Sequence, residues 1–369
     1  MGIIERTPEG AVIVDYYQLL GDSSTALGLA IAEAFGNDDH CLGIIMVRNV
    51  PNLVQCRDAL LDRGPWLAHL PPSAQQALEH PESQYMFGWS QGRELMNGRP
   101  DYSKGSFYAN PVQDIPTSPN PQYPEYYSAN RWPMETDLPG FRGSFRRLCQ
   151  LIIQVGLLVA KHCDRYVASQ LPGYSPAFLQ NLISNSDTIK ARLLHYFPKD
   201  GGDPVAAAGS EADIDSWCGW HLDHSCLTGL TAAKYVDTAA LERGDVVWPT
   251  VDDSVETWTL PEVACPDPTA GLYIKNRAGE VVQVRIPADV LAFQTGEALE
   301  ITSANFLRAT PHCVRGASTT ATPVGDDQVA PRVARNTLAV FIQPAIDDEL
   351  AEGYTFGQFT HDVLKKHYS

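Results

Sequence analysis

The chain has 369 residues, 44% hydrophobic and 19% charged, which suits a globular protein with a core large enough for one elaborated domain or two. Its 44 acidic residues outnumber 27 basic ones, giving a net charge of −17. Such a surface repels phosphate backbones and anionic headgroups, so nucleic acid and membranes are excluded as expected partners.

In chain order, residues 12–15 and 42–47 read as short buried strands, with a helix between them over Ser23 to Phe35 behind Ser and Thr capping residues. Leu53 to Arg63 and Ser73 to Glu79 read as two further helices. From Ser83 to Pro133 the chain is rich in Gly, Pro, Asn and aromatics; it reads as ordered loop and irregular strand, because the aromatics need burial. Pro139 to Ala168 carries the longest helical pattern, apolar at 145, 148, 152, 155, 159 and 163. Its most apolar part, Leu148 to Val159, is broken by Gln150 and Gln154 and is too short to span a bilayer.

From Ile189 onward the pattern turns to short β-like runs: Ala191–Phe197, Thr228–Val236, Leu272–Lys275, Val281–Ile286, Val290–Gln294, Leu299–Thr302 and Thr337–Gln343. Runs of this length and spacing predict an antiparallel barrel or jelly roll. Lys199 to Ser216 and the acidic Asp237 to Pro268 read as surface insertions at the barrel mouth, where loops set substrate choice. Phe356 to His367 reads as a closing helix. The expected layout is a helical and irregular region over 1–175, a β core over 176–345 and a C-terminal helix over 346–369.

The eight cysteines form neither a CxxC pair nor a compact zinc spacing, and read as scattered reduced thiols. The opening segment, mixed in charge, lacks the apolar stretch of a signal peptide, so the expected address is cytoplasmic.

The chemistry concentrates in Gly219-Trp220-His221-Leu222-Asp223-His224 and, far downstream, Pro311-His312-Cys313-Val314. On a strand, His221 and Asp223 point the same way and Leu222 the other. With His312 from a neighbouring strand they make two imidazoles and a carboxylate, the facial triad that holds non-haem Fe(II) and leaves positions open. His224 competes for the ligand role, but alternation turns it away from Asp223. Cys313, next to a ligand on an alternating strand, reads as buried packing.

Around these residues the chain resembles the isopenicillin N synthase-like branch of the Fe(II)/2-oxoglutarate-dependent dioxygenases. The resemblance runs through Ala191-Arg192-Leu193-Leu194-His195-Tyr196-Phe197-Pro198, Trp220-His221-Leu222-Asp223 with Leu227-Thr228-Gly229-Leu230-Thr231, Pro311-His312, and Arg335-Asn336-Thr337-Leu338. It is strongest from 189 to 344; Lys104-Gly105-Ser106-Phe107 and Asn130-Arg131-Trp132-Pro133 are similar to the same branch. The chain departs from it in the long interval between Asp223 and His312, the long loop before Arg335, and Phe197 where many relatives carry a second tyrosine.

The resemblance implies a double-stranded β-helix (jelly roll, cupin-like) core with a helical N-terminal region. It implies Fe(II) on His221, Asp223 and His312, with 2-oxoglutarate and O2 filling the open positions. Arg335, a planar permanent cation, suits the distal carboxylate of 2-oxoglutarate, with Thr337 and Tyr196 as further contacts. Arg332 is the rival arginine, but only Arg335 has a hydroxyl two residues on. The expected activity is hydroxylation, desaturation or oxidative cyclisation of a small organic molecule, releasing succinate and CO2. Two alternatives stand beside it: an iron oxidase of the same fold that uses no 2-oxoglutarate, and a non-catalytic metal- or ligand-binding jelly roll. Candidate substrate contacts are Lys104, Phe107, Tyr108, Trp220 and Tyr235, with Trp217 as a further wall residue.

Overall fold

The computed structural model describes residues 4–21, 25–96, 99–118, 120–198, 218–250, 258–317 and 331–368. Two β-sheets face one another as a jelly roll, the fold class expected from the strand pattern. The strands used below are β1 (Glu5–Arg6), β2 (Val12–Asp15), β3 (Ile44–Arg48), β4 (Gly88–Gln91), β5 (Lys104–Ala109), β6 (Lys190–Tyr196) and β7 (Cys218–His221). They continue as β8 (Leu227–Thr231), β9 (Lys234–Asp237), β10 (Gly271–Lys275), β11 (Val281–Val284), β12 (Leu291–Thr295), β13 (His312–Arg315) and β14 (Val333–Ile342). The large sheet runs β1-β2-β3-β12-β8-β14-β6-β5-β4, with β9 also paired to β14; the small sheet runs β11-β10-β13-β7. The N-terminal region therefore extends the large sheet at both ends, through β1–β3 on one side and β4–β5 on the other.

The two faces of the large sheet have different chemistry because side chains alternate. On β6, Ala191 and Leu193 join the principal hydrophobic core, whereas Arg192, Leu194 and Tyr196 line the jelly-roll interior. The outer face is covered by α1 (Phe141–Gln170), whose Phe145, Leu148, Ile152, Val155 and Val159 are all buried. Two glycines permit the close approach: a Cβ on Gly229 of β8 would strike Ile152, and one on Gly156 would strike Ile342. By length and composition this helix could cross a membrane, but its apolar stripe is already spent on the sheet.

Four expectations need correction. Leu299–Thr302 is not a strand; Glu297–Thr302 forms a short helix (α2), because Gly296 lets its N-terminus sit against the Asp223 and Ser225 carbonyls where any Cβ would collide. Thr228–Val236 is two strands, β8 and β9, separated at Ala232 and Ala233, whose carbonyls accept from buried Arg57 at 3.0 Å each. Within Ser83–Pro133, β4 and β5 are regular strands: β4 pairs with β5, and β5 pairs with the distant β6, so pairing rather than local pattern stabilises them. The 237–268 stretch is not simply a surface insertion: Trp258 is 1% exposed, and Trp248 and Trp258 pack edge-on against Trp66. Residues 199–216 and Trp217 lie outside the described residues.

Candidate metal centre and adjoining cavities

His221 ends β7 and His312 begins β13, and the two are direct cross-strand partners, which sets their rings 4.2 Å apart. Asp223 does not share the strand, which stops at His221. A turn instead brings its carboxylate to the imidazoles, held by Glu297 N–H donating to the Asp223 carbonyl at 2.8 Å and Thr228 Oγ1 donating to Oδ2 at 2.5 Å. The Nδ1 of His221 bonds the Gly219 carbonyl (2.7 Å) and that of His312 the Thr310 carbonyl (2.9 Å). A carbonyl only accepts, so both Nδ1 atoms carry the proton and Nε2 is the atom each ring has for a metal. Burial lowers the His221 pKa, but Cys218 and Asp223 outweigh it and raise it to about 9, so this ring gives up its Nε2 proton as a metal binds.

Those Nε2 atoms stand 3.6 Å (His221) and 3.8 Å (His312) from the Asp223 carboxylate, too long for hydrogen bonds. All three donor atoms lie within 4.8 Å of one another. Burial alone would push the Asp223 carboxyl up, but His312, His221 and the Thr228 hydroxyl outweigh it and hold it below its usual value. For His312, burial dominates and lowers its pKa. A carboxylate with a neutral imidazole is the state a divalent ion requires. This donor set of two nitrogens and one oxygen therefore fits Fe(II). His224 turns aside, 4.0 Å from Glu297. Cys313 is fully buried on the other side of β13.

Two cavities meet at this centre, and His221, Asp223, Arg192 and Phe341 line both. The inner one, of about 110 Å³, lies between the sheets and contains Arg335, Thr337, Tyr196 and Gln294. Arg335 pairs in register with Tyr196 on β6 and Tyr235 on β9, and its guanidinium lies 5.0 Å from the Tyr196 ring centre. Tyr196 thus offers Arg335 its face. Thr337 Oγ1 is 3.4 Å from the Thr231 carbonyl, a long contact that leaves the hydroxyl open to a better partner. Arg332 is committed elsewhere, ion-paired to Glu242.

Sequence reasoning missed Gln294 and Thr231. Both amide atoms of Gln294 and the Thr231 hydroxyl are buried, face this cavity and lack hydrogen-bond partners among the described residues. Orphaned buried polar atoms beside a buried guanidinium fit a small dicarboxylate such as 2-oxoglutarate. The available signal was a lone glutamine in the apolar run Leu291-Ala292-Phe293-Gln294.

The outer chamber, of about 530 Å³, contains Tyr108, Trp220, Tyr126, Lys190 and Glu297. Of the candidate substrate contacts, Tyr108 and Trp220 line it. Lys104 is a buried strand residue lining the inner cavity, ion-paired to Glu94 (3.0 Å) and Asp101 (3.3 Å). Phe107 is a correction: alternation along β5 sends it to the helix side, against Trp132, Phe141 and Phe145. Tyr235 is another, since it sits beside Arg335 and lines neither cavity.

No protein-family model matches the chain, and no curated protein matches it in sequence. Solved structures do match over nearly its whole length. T7H of Neurospora crassa, in complex with alpha-KG and 5-formyluracil, is 18% identical with TM-score 0.59, covering 94% of this chain and 89% of its own. A 2OG-Fe(II) oxygenase family protein from Caulobacter crescentus is 18% identical with TM-score 0.64, covering 96% and 98%. JOX2, in complex with 2OG, Fe and JA, is 15% identical with TM-score 0.57, covering 95% and 84%. This chain has the fold of those oxygenases.

Proposed function

We propose that this chain is an Fe(II)- and 2-oxoglutarate-dependent oxygenase acting on a small organic molecule. The observation that carries the reading is the meeting of two imidazole Nε2 atoms and one ionised carboxylate at the mouth of a cavity that holds Arg335, Thr337 and Gln294. His221, Asp223 and His312 hold the metal. Arg335 receives the distal carboxylate of 2-oxoglutarate, Thr337 adds a hydroxyl, and Gln294 a carboxamide. When bound, Fe(II) would activate O2 with electrons from 2-oxoglutarate, which is oxidised to succinate and CO2 while the second oxygen atom's oxidising power goes to a substrate C–H bond. The protein's own work is to orient the co-substrate, keep water from the inner cavity and position the substrate in the outer one. The fold's occurrence in structures holding alpha-KG, or 2OG with Fe, supports the same co-substrate here. A cytoplasmic setting belongs to the same reading, supported by eight free cysteines, several fully buried.

A metabolite screen scored by succinate release tests the proposal. Succinate should rise with one substrate class and require both Fe(II) and 2-oxoglutarate. Substrate oxidation without succinate would refute the co-substrate assignment.

A further inference from the structure

On β6 two cations stand two residues apart on the interior face, and their surroundings differ. Arg192 is neutralised by Glu94 and stacked 5.0 Å over the Tyr108 ring. Lys190 is 2% exposed and has no carboxylate within ion-pair distance among the described residues. Its Nζ donates to the carbonyls of Met86 (3.2 Å) and Glu125, and lies 4.0 Å from the Phe87 ring centre and 5.3 Å from that of Tyr126. An ammonium has three N–H donors, so one is left over. Carbonyls and ring faces soften the burial of a cation but do not cancel its charge.

This ammonium borders the outer chamber, the same space onto which His221 and Asp223 open. The chamber's other charged groups are committed: Arg192 to Glu94, Asp223 to the imidazoles, and Glu297 4.0 Å from His224. Four aromatics, Tyr108, Tyr126, Trp220 and Phe341, share its remaining wall with other apolar side chains and the polar Ser225 and Gln343. A cation without a counter-ion beside these aromatic faces is a recognition site for an anion carried on a flat apolar body.

We propose that the outer chamber binds an aromatic carboxylic acid, its carboxylate paired with Lys190 and its ring against Tyr126, Trp220 and Phe341. Burial draws the Lys190 pKa down to about 7, with Glu125 opposing, as expected of an ammonium that lacks its counter-ion. The arriving carboxylate supplies that charge. The assignment of this ligand as substrate rests on the oxygenase reading; the binding itself does not.

The test is calorimetric titration of the full chain, alone and anaerobically with Fe(II) and saturating 2-oxoglutarate. The probes are 2-naphthoate and its uncharged analogue 2-naphthamide. The acid should bind at least tenfold tighter than the amide. Lys190→Met should erase that difference, while Lys190→Arg and Arg335→Ala keep it. Equal binding of acid and amide, no binding of either, or an acid preference that follows Arg335 instead of Lys190 would overturn the proposal. Should Lys190→Met fail to fold by its melting curve, wild type, Lys190→Arg and Arg335→Ala decide the matter. The oxygenase reading falls separately, if the aerobic metabolite screen gives no succinate that depends on Fe(II) and 2-oxoglutarate while the acid preference holds.

Discussion

Thr228 and Gln294 are where single side chains most affect the candidate site. The Thr228 hydroxyl donates to Asp223 and helps keep it ionised. Thr228→Val should weaken divalent-metal binding roughly 10- to 100-fold, the usual cost of losing a hydrogen bond that orients a ligand, as read by competition with a chelating dye. Gln294 has both amide atoms buried and unpaired. Gln294→Leu should therefore stabilise the ligand-free chain by about 1 kcal/mol and weaken 2-oxoglutarate binding about tenfold. A melting curve and an anaerobic titration read the two effects, and opposite signs would place Gln294 outside the co-substrate site. His221, His312 and Arg335 were legible because strand alternation and neighbouring residues identify them. Gln294 and Lys190 were not, because a polar residue inside an apolar strand becomes informative only once its partners, or their absence, can be seen.

Local signals found the long elements, α1 above all, and missed those made by distant contacts. β5 exists because it pairs with β6, and α2 because Gly296 admits it beneath the Asp223 turn. The packing of α1 on β8 depends on a missing Cβ at residue 229. Gly229→Ala should cost roughly 1–3 kcal/mol in urea denaturation, since Ile152 has to move. A second test concerns β6 and β14. His195 is buried between them, its Nδ1 bonded to Asn336 (2.8 Å) and its Nε2 without a partner among the described residues. Burial, partly opposed by Asn336, depresses its pKa to about 3. Its contribution to stability is thus complete above pH 6.5 and is lost as pH falls from there towards 3, by up to about 1.4 kcal/mol per pH unit. His195→Gln should flatten that slope in denaturation curves across this range; an unchanged slope would mean His195 protonates freely in the fold.

For the molecule as a whole, composition pointed to a globular acidic chain and strand spacing to a jelly roll, and the two opposed sheets bear out that fold class. Sequence patterning did not reveal that β1–β3 and β4–β5 would lengthen one sheet from both ends, because pairing order is a property of the assembled chain. The result is a sheet with a helix-packed face and an interior face that joins an apolar cluster to the polar residues of the site, with the donor cluster where the inner cavity meets the outer chamber. The central claim is that His221, Asp223 and His312 hold Fe(II) beside a 2-oxoglutarate anchored on Arg335. Anaerobic addition of Fe(II) and then 2-oxoglutarate, followed by visible absorption, tests it most directly. A charge-transfer band should appear only when both are present, vanish in Asp223→Ala, and in Arg335→Ala need at least tenfold more 2-oxoglutarate. A wild-type chain that gives no band, or an Asp223→Ala variant that gives the full one, would contradict it.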